Sequence, residues 1–279
     1  MIPFGKMQIN SWLFILIYFY MPYVIFLLIF KSKKFCLSRL QIITLACVLF
    51  LYCWIGAKAS HITIHYRDYV GQSLRYIWKS SGFSSIGVFI VSWLTIYIYA
   101  RVIRKSFLEI FDYFVLGVPL MIFFGRIACL INGCCHGSVC TLPWARVFFV
   151  HTTGNLSMHP TQAYEMIYAL AIFITTLRFH DRLSNMRGAA TFLVFFAYFF
   201  MRFFNESLRT DSPFIIGPLK LSHLGMITGM VLCGIGLYYV IFKKDRKQEF
   251  FNLLSEMAKM FLLCLVIIGF VILGLLTIF

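Results

Sequence analysis

Three segments of an otherwise apolar chain carry groups able to do chemistry: GRIACLINGCCHG at 125–137, HPTQAYE at 159–165 and YFFMRFFNESLRTD at 198–211. In the third, Arg202 and Glu206 are spaced i,i+4 and Arg209 follows three further on, so one helix face reads plus, minus, plus. Two arginines to one carboxylate leave a positive surplus. It suits an anion such as a lipid phosphate, which a guanidinium grips through two parallel hydrogen bonds. The competing reading of Arg202 with Glu206 is an internal ion pair that lets a span fold. In the second segment His159-Pro160 opens a helix, with Pro in the first turn. His159 either caps that helix or transfers a proton, and Glu165, about one turn inside, needs a partner. In the first segment Arg126 and Asn132 interrupt an apolar run. Ionisable groups at membrane depth are costly unless paired or facing a wet cavity, so each marks a candidate site.

Cys134-Cys135-His136 invites a zinc reading, but adjacent cysteines are poorly spaced for a tetrahedral site built from C-x2-4-C pairs. The other nearby thiols are Cys129 and Cys140. A disulfide between Cys140 and one of the pair is an option on an oxidising face. Close packing around Gly133 and Gly137, which let backbone approach backbone or ligand, is favoured over both. No metal and no other cofactor is expected.

The elements that position these groups follow from composition. Of 279 residues, 61% are hydrophobic and only 13% charged, which places the chain among integral membrane proteins. Apolar runs of bilayer-crossing length lie near 11–30, 40–58, 83–100, 107–124, 162–179, 188–204, 221–242 and 258–279. A net charge of +15 could mean nucleic acid, but the basic residues sit between spans and not on one polar domain, so no nucleic acid is expected. They follow the first, third, fifth and seventh runs: Lys31 to Arg39, Arg101 to Lys105, Arg178 to Arg187, Lys243 to Lys247. Every second connection is therefore basic, which puts those connections on the cytoplasmic side and the N-terminus outside. The surplus then also attracts anionic membrane lipids.

Residues 1–30 lack a basic n-region and a small-residue cleavage site, so they read as a retained span. The longest connections, 59–82 and 136–160, fall on the outer side, where an external substrate arrives. KKDRKQEFFNLLSEMAK reads as an interfacial helix, and the eighth run as an appended anchor. The expected architecture is an all-α polytopic membrane bundle. One membrane domain spans 1–243, and 244–279 adds a cytoplasmic amphipathic linker and one extra C-terminal span.

Taken in order, the GR…NG…G pattern, HPTQAYE and R-x3-E-x2-R-x-D resemble the prolipoprotein diacylglyceryl transferase family over roughly residues 40–242. The resemblance implies seven membrane helices in a bacterial inner membrane. It also implies transfer of the diacylglyceryl group of phosphatidylglycerol to the lipobox cysteine thiol of a prolipoprotein, with release of glycerol phosphate. By the same resemblance Arg126, Asn132, Gly133, Gly137, Arg209, Tyr164 and Glu165 hold phosphatidylglycerol. Arg126 and Arg202 are expected to stabilise the leaving phosphate, with Glu206 orienting Arg202, and His159 is a candidate for proton transfer; Gln162 belongs to the same motif.

The chain departs from the family pattern in three places. The family's His-Gly-Gly segment, proposed to supply a base, corresponds to WKSSGFSSIG at Trp78–Gly87, where Ser84 or Ser85 replaces the histidine. Cys129 and Cys134 replace an asparagine and a glutamate, and the eighth span is extra. The base candidates left are His136 and His159, or no base at all. Two other functions stay open: a phosphatidylglycerol-dependent reaction with a different acceptor, and a non-catalytic phospholipid-binding protein.

Overall fold

The computed structural model describes residues 37–64, 66–73, 76, 85–131, 133–150, 154–183, 185–210, 214–216, 219–242 and 247–278. The apolar run at 11–30, most of WKSSGFSSIG and Asn132 lie outside the described residues. Helices dominate, as the composition dictates. In chain order they are α1 (Arg39–Ile64), α2 (Tyr66–Tyr69), α3 (Ser85–Val102), α4 (Phe107–Phe114), α5 (Val118–Ile131), α6 (Thr161–Leu183), α7 (Ala189–Leu208), α8 (Leu221–Phe242) and α9 (Lys247–Ile278). Two short antiparallel hairpins, which the sequence reading did not anticipate, lie between helices. One pairs β1 (Arg146–Val150) with β2 (Gly154–Met158), and the other pairs β3 (Phe214–Ile216) with β4 (Leu219–Lys220).

Four helical stretches among the described residues are long and apolar enough to cross a membrane: Arg39–Ile64, Phe107–Ile127, Leu221–Ile241 and Lys247–Thr277. α6 and α7 fall outside that set because they carry polar cargo. Glu165, His180, Asp181 and Arg182 lie on α6, and Arg202, Asn205 and Glu206 on α7. The expected interfacial linker and eighth anchor form one continuous helix over Lys247–Ile278. No proline or glycine interrupts Lys247 to Ile268, so nothing in the backbone stops the helix at the membrane boundary.

The chain forms two compact units, Met1–Phe111 and Asp112–Phe279. In the first, α1 packs along α3. A Cβ on Gly87 would collide with the Gly56 carbonyl oxygen, and one on Gly56 would lie 2.9 Å from the Gly87 oxygen, so the crossing needs glycine on both helices. Tyr99 on α3 donates to the Gln41 carbonyl at 2.9 Å, and Trp93 lies edge-on to Phe111 at 4.7 Å.

In the second unit each helix from α5 to α8 packs on its successor, and α9 returns along α6. Arg182 on α6 reaches Glu256 on α9 at 2.7 Å. α4 and α5 are joined by a 3-10 turn, Val115–Gly117, where the Val118 amide bonds the Val115 carbonyl. Pro119 explains the tightening, because it has no N–H to give that carbonyl. At one end of the unit the buried carboxylate of Asp112 receives the Gly188 amide, the Thr191 amide at 2.8 Å and the Thr191 hydroxyl at 2.7 Å. It thereby caps the start of α7 from a separate helix. The opposite end gathers the C-terminus of α5, the N-terminus of α6, the C-terminus of α7 and the N-terminus of α8.

Candidate active site

The three polar segments converge at that second end, through the backbone first. The Gly137 amide donates to the His159 carbonyl at 2.9 Å, and the Ser138 amide to the Leu208 carbonyl at 2.8 Å. Gly137 also forms an isolated bridge with Arg209. A Cβ on Gly137 would lie 2.8 Å from the Leu208 oxygen and 2.8 Å from the His159 Cβ. Of the two uses glycine suggested at Gly137, the structure shows the approach of backbone to backbone. The first turn of α6 then clamps the cysteine loop: the Thr161 hydroxyl donates to the Cys135 carbonyl and the Gln162 amide to the Cys134 carbonyl. Asn205 on α7 donates to the Thr161 carbonyl at 3.1 Å, tying the third segment to the second.

Side chains complete the convergence as an alternating chain of charge. Arg126 binds Glu165 bidentately, with Nη2 to Oε1 at 3.1 Å and Nε to Oε2 at 2.9 Å. Arg202 Nη1 donates to the same Glu165 Oε2, and its Nη2 lies 2.7 Å from Glu206 Oε2. Arg209 Nε closes the row 3.7 Å from Glu206. Tyr198 adds a hydroxyl to Glu165 at 2.9 Å, and Ser222 one to Glu206 at 2.8 Å. Lys220, fully buried, donates from Nζ to the Glu206 carbonyl at 2.8 Å and to the Arg209 carbonyl. Those carbonyls end α7, where a cation is favoured.

Glu165 is 1% exposed and holds two guanidiniums and a phenol, so it positions arginines. The resemblance implies that it is among the lipid-binding groups; here its partners are the Arg126 and Arg202 guanidiniums and the Tyr198 hydroxyl. Arg126 and Arg202 keep 19% and 12% of their side chains accessible, enough to present N–H groups to a ligand.

His159 belongs to a second chain of bonds. Trp144 Nε1 donates to the Tyr164 hydroxyl at 3.0 Å, and that hydroxyl lies 3.1 Å from His159 Nδ1. A phenol that accepts from an indole can give its own proton to Nδ1 or accept a second N–H from it, as the imidazole tautomer dictates. His136 Nδ1 lies 3.4 Å from the Gly137 carbonyl.

The sequence reading missed Trp144 and Lys220, which lie outside the motifs. A lone lysine in the apolar stretch FIIGPLKLSHLG was the one signal for Lys220. It also left the cysteines as packing. The structure brings the sulfurs of Cys129, Cys134 and Cys135 within 4.8 Å of one another, with Arg126 Nη1 donating to Cys129 Sγ at 3.5 Å. Hydrogen bonds from the Cys129 and Cys134 thiols, and then the Arg209 and Arg126 guanidiniums, hold the Cys135 thiol below the ordinary thiol range. Gly133, in the same loop, has φ of +66° and Cys135 of +63°.

Comparison with known proteins adds an independent line. A family model described as prolipoprotein diacylglyceryl transferase matches residues 1–242. Similar curated proteins include the phosphatidylglycerol–prolipoprotein diacylglyceryl transferase of Clostridioides difficile, 28% identical over 78% of this chain and 85% of that protein. The proteins of the same name from Finegoldia magna and Idiomarina loihiensis are 29% and 28% identical, over 69% and 70% of this chain and 77% and 72% of their own lengths.

Proposed function

The chain belongs to the prolipoprotein diacylglyceryl transferase family, and from that premise we propose that it moves the diacylglyceryl group of phosphatidylglycerol onto a prolipoprotein lipobox cysteine in a bacterial inner membrane, releasing glycerol phosphate. The observation that carries the reading is the row Arg126, Glu165, Arg202, Glu206, Arg209. Three guanidiniums against two carboxylates leave one formal positive charge, and the Lys220 ammonium makes two. Residues 1–243 form the transferase portion, and 244–279 an addition to it. The site end of the second unit faces outward, as the charge pattern of the connections requires with an external N-terminus.

In this reaction the acceptor sulfur attacks the glycerol carbon that bears the phosphate ester. The C–S bond forms as the C–O bond breaks, and the phosphodiester monoanion departs as a phosphomonoester dianion. The charge gained at the leaving oxygen is what the site must stabilise, and fixed donors do this without reorganising. Arg126 and Arg202 face that oxygen, Arg209 holds the headgroup, and Glu165 and Glu206 lock their orientations. His159, held against the Tyr164 hydroxyl, is the candidate to take the proton of the incoming thiol. Gln162, through its bond to the Cys134 carbonyl, holds the cysteine loop beside the site. The local positive surplus also favours the thiolate form of an incoming thiol, so the reaction can proceed in the absence of the family histidine.

The test is purified protein in detergent given phosphatidylglycerol and a lipobox peptide. A thioether-linked diacylglyceryl peptide together with free glycerol phosphate is the expected result. Lipid turnover with no modified peptide would point to another acceptor. Tight lipid binding with no turnover would reduce the protein to a phospholipid-binding module.

A further inference from the structure

The cysteine loop contains more construction than packing requires. Cys129 sits on the last turns of α5, buried at 4% exposure, while Cys134 and Cys135 follow in the loop. The loop backbone is held at each step. The Cys134 amide donates to the Cys129 carbonyl at 3.1 Å, and α6 takes the carbonyls of Cys134 and Cys135 through Gln162 and Thr161. Cys135 adopts φ of +63°, a region that non-glycine residues occupy at a cost and keep only where the surroundings impose it. A packing role would be filled more cheaply by glycine at that position. The result of the strain is that three sulfurs meet, all within 4.8 Å.

We propose that Cys129, Cys134 and Cys135 form a site for one thiophilic divalent ion of the zinc class, bound as a tris-thiolate beside the arginine row. A zinc–sulfur bond of about 2.3 Å sets sulfur–sulfur separations near 3.8 Å in a tetrahedral set, so the loop needs to contract by about 1 Å at most. The spacing objection raised by adjacent cysteines does not hold here, because the third ligand comes from the helix end and the left-handed turn at Cys135 redirects its neighbour. Binding releases three thiol protons and leaves a complex of formal charge −1, with no electron transfer. Arg126 already donates to Cys129 Sγ at 3.5 Å and would keep that contact to the bound thiolate. A donor to a metal-bound thiolate is a common outer partner of such sites. The inference is independent of the lipid reaction, since the sulfurs converge whatever the arginines bind.

The experiment uses the full chain, purified in detergent with a reductant and dialysed against zinc, then washed with a weak chelator. Mass-spectrometric metal analysis should find one zinc per chain. Replacing zinc with cadmium should give a thiolate charge-transfer band in the ultraviolet. Cys135→Ser and Cys134→Ser should each lower retained zinc at least tenfold while the protein stays monodisperse, and Cys140→Ser should retain it. Absence of retained metal in the wild-type chain overturns the proposal. So does retention in Cys134→Ser and Cys135→Ser alike, or quantitative conversion of two of the three cysteines to a disulfide that blocks zinc. A wild-type chain that binds zinc but transfers no lipid leaves this inference standing and removes the transferase reading.

Discussion

Replacing Glu165 by glutamine removes one charge from the centre of the site and leaves its shape. The wild-type carboxylate, 1% exposed, is shared by Arg126 through two contacts of 3.1 and 2.9 Å, by Arg202, and by the Tyr198 hydroxyl at 2.9 Å. Glutamine offers one carbonyl oxygen and an NH2 group that faces guanidinium N–H donors, so one of the two arginines loses its partner. Breaking a buried ion pair from one side costs roughly 3–5 kcal/mol. The arginines retain 19% and 12% accessibility, and water can reach part of the freed charge. The low end, about 3 kcal/mol, is therefore expected, which for a chain of this size lowers Tm by roughly 6–12 °C. Activity should fall further than stability does, by about 10²–10³ in kcat/KM, the cost of losing one fixed donor at a developing oxyanion. The assays are thermal unfolding followed by intrinsic fluorescence in detergent, and transfer to a fluorescent lipobox peptide. The double variant Glu165→Gln with Arg126→Gln removes the stranded charge. It should recover part of Tm, with a coupling of about 0.5–3 kcal/mol, and recover no activity. If Glu165→Gln keeps Tm and transfers lipid within about threefold of wild type, the arginines are held by other groups and the charge-chain reasoning is wrong.

Gly137→Ala places a methyl 2.8 Å from the Leu208 carbonyl oxygen, so the cysteine loop must back away from α7; a loss of about 1–3 kcal/mol and a matching drop in transfer rate are expected, and an unchanged Tm would contradict the close approach. His159→Gln removes the imidazole that meets the Tyr164 hydroxyl, so the rate should fall by about 10²-fold and a limb should be lost from the pH profile, whereas an unchanged profile would remove His159 from proton transfer. Asp112→Asn weakens the cap on α7 at the end remote from the site, and thermal unfolding should register about 1–2 kcal/mol while transfer at permissive temperature persists; equal Tm values would remove the cap from the account.

How much of this was legible in the sequence depended on range. The arginines and glutamates announced themselves because charge in an apolar run has few explanations, and Arg202 and Glu206 lie on one helix face as their spacing requires, while Arg209, expected on the same face, is extended just past the end of α7 and still reaches Glu206. Their pairing across helices was not legible. Glu165 and Arg126 are 39 residues apart, and nothing in a single sequence says that Glu165 takes Arg126 and Arg202 together. The hairpins at 146–158 and 214–220 were read only as connections, since short strands with mixed polarity carry little periodicity. The cysteines were discounted by a spacing rule that looks along the chain, and the left-handed residue that brings the three sulfurs together leaves no mark in residue type.

The arrangement also resolves a conflict that the sequence poses. Three arginines and a lysine at the end of a helical bundle are costly if each stands alone, and inert toward an anion if each is matched by its own carboxylate. Sharing two carboxylates among three guanidiniums avoids both outcomes, because every cation has a partner and the row keeps a surplus. The surplus of two, counted with Lys220, exceeds the single charge of a phosphodiester and equals that of a departing phosphomonoester. In the proposed transfer, a site with that balance would bind the end of the reaction better than its beginning, which is the differential that lowers a barrier. Adding a carboxylate beside Arg209, or removing Lys220, would reduce the surplus to match the substrate. It should leave lipid affinity nearly unchanged while kcat falls.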